Sequence, residues 1–81
     1  MVNCEQHDYL EIACTFTLAI SLTLDNSHVV TGIASDILYN QNKEHCISLK
    51  QDQKQILLAL NTIKSMTAIT VNPHFTTVNF D

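Results

Sequence analysis

Thr17-Leu18-Ala19-Ile20-Ser21-Leu22-Thr23-Leu24 alternates residue by residue between large aliphatic side chains and small or hydroxylated ones. Successive side chains of an extended chain point to opposite faces, so this period of two predicts a half-buried strand with Leu18, Ile20, Leu22 and Leu24 inward. Asp25-Asn26-Ser27 is a turn cluster, and β-branched residues resume from His28 to Ala34, so the pair reads as a hairpin. Gly32 interrupts the second strand and predicts a bulge or sharp bend at that point.

Downstream, Ser35 to Asn42 is polar and Asn-rich apart from Ile37 and Leu38, and reads as a loop. His45 to Lys50 and Gln55 to Leu60 flank Gln51-Asp52-Gln53 as a second hairpin. Ile63 to Val71 gives a further strand, and Asn72-Pro73-His74 is a turn before Phe75 to Phe80. Upstream, residues 3–16 predict a short helix. Leu10, Ala13 and Cys14 fall at i, i+3 and i+4, and Tyr9, Ala13 and Phe16 extend the same apolar side. Two capping-box-like pairs compete for its start, Asn3 with Gln6 and Asp8 with Glu11. One helix followed by several bent strands predicts a mainly β fold, with the N-terminal helix packed on a small antiparallel barrel or sandwich.

The 81 residues are expected to form one domain, 1–81, with the strands over about 17–80. The longest unbroken apolar run, Ile56 to Leu60, is far shorter than the roughly 20 residues of a membrane helix. The acidic N-terminus lacks the basic region of a signal peptide, so a cytoplasmic location is expected. In that reducing compartment Cys4, Cys14 and Cys46, an odd set without a CxxC pair, read as free thiols.

Charge is distributed unevenly. The first cationic side chain is Lys43, so residues 1–42 hold five of the eight acidic groups (Glu5, Asp8, Glu11, Asp25, Asp36) and none of the four lysines. A one-signed half attracts cationic surfaces and repels phosphate, which points to a basic protein partner rather than to nucleic acid. No catalytic signature (GxSxG, Walker A, HExxH) is present, so no enzyme activity and no cofactor are expected. A metal centre is not expected either. Cys4, His7, Cys14, His45 and Cys46 lack paired short spacing, and adjacent His45 and Cys46 point to opposite faces of a strand.

Asn3-Cys4-Glu5-Gln6-His7-Asp8-Tyr9-Leu10-Glu11-Ile12-Ala13-Cys14 resembles the leading motif of the Rof family, the Rho-binding antiterminators. That motif runs N-C-acid-x-x-D-x-L-E-aliphatic-A-C, and Asn3, Cys4, Glu5, Asp8, Leu10, Glu11, Ala13 and Cys14 match it. Ala34-Ser35-Asp36 is similar to a second family stretch. The resemblance covers nearly the whole chain, by pattern more than by letters in the last third. It departs at Gln6, neutral where relatives carry an acid, and at His7, which replaces an aromatic. Only Met1 and Val2 precede Asn3, where longer members carry a polar tail. The resemblance implies an Sm-like β-barrel or sandwich behind the helix. It also implies a non-enzymatic inhibitor of termination factor Rho, one that binds Rho's RNA-binding, OB-fold-containing N-terminal region and blocks RNA loading.

The residues support a compatible surface. Glu5, Asp8 and Glu11 step by three, so their carboxylates share one broad helical face, and Asp36 comes from the segment after the second strand. Carboxylates in such an array stand in for phosphate oxygens against Lys and Arg of a partner. Tyr9, Tyr39, Asn40 and Asn42 complete the expected partner-binding set of a monomeric protein. Tyr9 has an equally good reading as a side chain half-buried on the barrel, and Asp36 as a turn residue. The alternative function is an Sm-like RNA-binding module. It needs a basic stripe or stacking aromatics, against four lysines, no arginine, no tryptophan and a net charge of −4.

Overall fold

A computed structural model describes residues 4–80. Helix α1 (Cys4–Thr15) leads into β1 (Ala19–Leu24), β2 (Val29–Tyr39), β3 (His45–Gln51) and β4 (Lys54–Ala59). A 3-10 turn (Leu60–Thr62) then leads to β5 (Ile63–Ala68) and β6 (Thr77–Asn79). The strands form one sheet in the order β4-β3-β2-β1-β5-β6, with every neighbouring pair antiparallel. Leu22 and Ile20 of β1, Ala34 of β2, Leu49 and Ile47 of β3, Met66 of β5 and Val78 of β6 share one buried cluster, and Ile56 and Leu58 of β4 pack against it. Both ends of the sheet therefore reach the same core. Mainly β with one leading helix is the architecture expected from the sequence.

The alternation in β1 holds as read: Leu18, Ile20 and Leu22 are buried, and Leu24 packs at the core's edge. The strand itself begins at Ala19 rather than Thr17, because Thr17 takes a left-handed conformation (φ 48°) that ends the helix. Leu10 and Ala13 carry α1 into the core, with Tyr9 and Cys14 beside them. Phe16 does not join that side. It lies past the helix end, half exposed, with its ring stacked on His74 at 4.9 Å. Asn3, one of the two candidate caps, lies outside the described residues.

The largest correction concerns residues 35–42. Ser35 to Tyr39 is not a loop but the second half of β2, paired with β3 through Tyr39↔His45, Leu38↔Cys46 and Ile37↔Ile47. The register shifts between Ala34 and Asp36, so Ser35 is an extra residue on β2. This bulge breaks the alternation: Ala34 and Ile37, three residues apart, both meet the core. Neither a two-residue nor a helical period survives across it, which is why the segment reads as irregular.

Gly32 is not the bulge. It pairs in register with Ile20, and its missing side chain serves clearance instead. A Cβ there would sit 3.1 Å from Leu49 Cβ and 3.1 Å from the Lys50 carbonyl oxygen. Smaller boundary corrections follow from hydrogen bonding. β4 runs Lys54–Ala59 and gives way to the 3-10 turn at Leu60. β5 ends at Ala68, where the Ile69 and Thr70 amides both donate to the Ala19 carbonyl at the start of β1. Asn72 Oδ1 accepts from the His74 and Phe75 amides, so the expected turn forms and delays β6 to Thr77.

Candidate functional site

Helix α1 packs across β2, and this packing decides where the acids stand. With Leu10 and Ala13 buried, Asp8 and Glu11 are turned to solvent. Glu11 reaches back to His7, Oε1 to Nδ1 3.3 Å, across one helical turn. Asp36 is exposed at the β2 bulge, where its Oδ1 accepts from the Ile37 amide at 2.8 Å.

The Cys14 thiol, between helix and bulge, reports how close the two acidic elements are. Its pKa is raised from 9.0 to about 11, chiefly by burial and then by the Asp36 and Glu11 carboxylates. Glu11 of the helix and Asp36 of the strand thus both act on the Cys14 thiol. Among the described residues the only acid–base contact of this kind is that of Glu11 with His7, an ion pair when His7 is protonated; no lysine pairs with Asp8, Glu11 or Asp36. The side chain of Glu5 lies outside the described residues.

A row of rings runs beside this patch. Tyr39, 66% exposed at the end of β2, stacks on its cross-strand partner His45 with centroids 4.7 Å and planes 12° apart. His45 in turn meets His7 of α1 at 4.8 Å. The turn from β2 to β3 is set by Asn40, whose Oδ1 accepts from the Asn42 and Glu44 amides and whose Nδ2 donates to Glu44 Oε1 at 3.1 Å. Tyr9 takes the packing role: it is part-buried against the core and edge-on to Phe75 at 6.0 Å. No group of three or more His, Cys, Asp or Glu suited to holding a metal occurs among the described residues.

A family model described as modulator of Rho-dependent transcription termination (ROF) matches residues 1–80. The chain belongs to the ROF family. A solved structure described as YaeO bound to magnesium, from Vibrio cholerae O395, is similar at 36% identity, covering 91% of this chain and 96% of that one with a TM-score of 0.88. No curated protein matches.

In this ROF protein the structure brings Asp8, Glu11 and Asp36 onto neighbouring elements, with Tyr39, Asn40 and Asn42 one strand-end away. The sequence reading weighed His7 and His45 only as metal ligands and missed them as the rings that join the helix to the β2–β3 turn. The signal for them was positional: Tyr39 and His45 flank a short turn, so extending β2 to Tyr39 pairs them.

Proposed function

We propose that this ROF protein is a non-enzymatic inhibitor of Rho. Its acidic helix face and the adjoining β2–β3 turn dock on the basic, OB-fold-containing RNA-binding region of Rho and keep RNA from loading. It acts as a monomeric single domain in the cytoplasm and needs no cofactor. The observation that carries this reading is that Asp8 and Glu11 of α1, and Asp36 of the strand on which α1 packs, are all exposed and none is neutralised by a lysine among the described residues. Each exposed charge pair contributes only about 0.2–1 kcal/mol, so the acids set encounter rate and orientation while less polar contacts supply affinity.

The test is a pull-down with purified Rho, with and without competing poly-pyrimidine RNA. Competition by RNA and loss of capture by a folded Asp8→Lys, Glu11→Lys double variant support the reading. Undiminished capture by that variant ends the acidic-face model.

One observation favours the RNA-binding alternative: Lys50 and Lys54 line a shallow cleft with Ser35, Gln53 and Gln55. No aromatic side chain lines it, so the stacking platform that single-stranded RNA uses is missing there. A gel shift with oligonucleotides separates the two readings, tight RNA binding by the isolated protein favouring the second.

A further inference from the structure

We propose that the open face of Tyr39 is a seat for an arginine side chain of a basic protein partner; this rests on the partner being basic, as above, and names the chemistry of one contact. Tyr39 is held from behind. His45 lies parallel to it at 4.7 Å and is itself backed by His7 at 4.8 Å, so one ring face is covered while the residue stays 66% exposed. An exposed aromatic ring fixed on one side loses little freedom when its other side is covered, which is the character of an interface anchor.

The ring borders an open cleft of about 440 Å³ whose other walls are Asn40, Gln41, Asn42 and Leu57. Asn40 locks these walls through its bonds to the Asn42 and Glu44 amides. The cleft offers a π face, an apolar side chain and the amide side chains of Gln41 and Asn42. That set suits a flat group carrying several N–H donors. Lys43, next in the chain, does not line it.

Charge selects among flat ligands. Glu44 is tied to the same turn, Glu11 stands at the far end of the ring row beside His7, and the whole chain carries −4. A nucleobase brings its phosphate into this negative field; a guanidinium brings the matching sign. Lysine has the sign but not the plane, so the seat distinguishes arginine from lysine at equal charge.

The test is an NMR titration of the full chain at low salt with capped hexa-arginine, capped hexa-lysine and a short oligouridine. The arginine peptide is expected to shift the Tyr39 ring and Leu57 methyl resonances and to bind about two- to fivefold tighter than the lysine peptide, the change that a cation–π contact at an exposed site gives. Tyr39→Phe keeps that preference, and Tyr39→Ala removes it while the core resonances of Ile20 and Leu49 stay in place. Equal affinity for the two peptides overturns the proposal. So does an arginine preference that survives in Tyr39→Ala, or an oligouridine response at Tyr39 larger than the peptide's. Rho is absent from this experiment, so its failure leaves the Rho reading standing, and a failed pull-down leaves the arginine seat standing.

Discussion

The Leu18 amide donates to the Ala13 carbonyl at 2.9 Å, spanning the last turn of α1. The Thr17 amide bonds the Cys14 carbonyl at 3.2 Å inside it, so the two bonds form the paired closure in which the residue past the cap turns left-handed. That residue is normally glycine; here it is Thr17, β-branched, at φ 48°.

Thr17→Gly is therefore expected to stabilise the protein by about 1 kcal/mol, the order of the left-handed penalty for a residue with a Cβ. The gain is reduced by the extra freedom of glycine in the unfolded chain. A urea melt checks it through a higher midpoint at unchanged slope. A lower midpoint removes the strain argument.

Gly32→Ala is expected to act in the opposite direction. The new methyl meets Leu49 Cβ and the Lys50 carbonyl oxygen, both 3.1 Å from its ideal position, and the backbone of a strand paired on both sides yields little. Overpacking of this kind costs about 1–3 kcal/mol. Thermal unfolding of the variant measures it, and an unchanged melting temperature contradicts the clearance role given to Gly32.

Cys14 links stability to pH at the alkaline end. Its thiol ionises at 9.0 when unfolded and at about 11 when folded, raised first by burial and then by Asp36 and Glu11. Between those values the unfolded chain releases the proton while the folded protein keeps it. The contribution is thus fully present below pH 9 and lost as pH rises through 11. Stability measured at pH 8 and pH 10.5 is expected to fall more in the parent than in Cys14→Ala. Equal falls in the two proteins count against the shift.

The acids are expected to act on association more than on dissociation. Neutralising Asp8 and Asp36 together (Asp8→Asn, Asp36→Asn) slows binding to Rho and flattens its salt dependence, with the dissociation rate nearly constant, as for charges at the rim of an interface. Stopped-flow or surface-based kinetics at two salt concentrations separate the rates. A change confined to dissociation places these carboxylates inside the contact rather than around it.

The parts of the fold legible in the sequence were those with an unbroken period. Leu18, Ile20 and Leu22 announced β1, and the Asp25-Asn26-Ser27 turn was readable from Asn26, whose Oδ1 accepts from the His28 amide. What failed was β2 beyond Ala34, because the extra Ser35 shifts the phase and puts Ala34 and Ile37 on the same side. Gly32 misled for a related reason: a sequence shows that a side chain is missing, not whether bending or crowding requires it. On α1, Asp8 and Glu11 are exposed, as their three-residue spacing opposite Leu10 and Ala13 allows. The ring row was not legible, since His7 and His45 are 4.8 Å apart only through the packing of α1 on the sheet.

The order β4-β3-β2-β1-β5-β6 sets a sequence of events for folding. Three neighbouring hairpins can zip locally from their turns, whereas β5 must return across the intervening chain to reach β1 and then recruit β6. We expect that return to be the last step inward and the first outward. Protection of the Met66 and Val78 amides against hydrogen exchange should accordingly be lost before that of Ile47 and Leu49, and the reverse ranking would show that β5 and β6 are instead part of the folding nucleus.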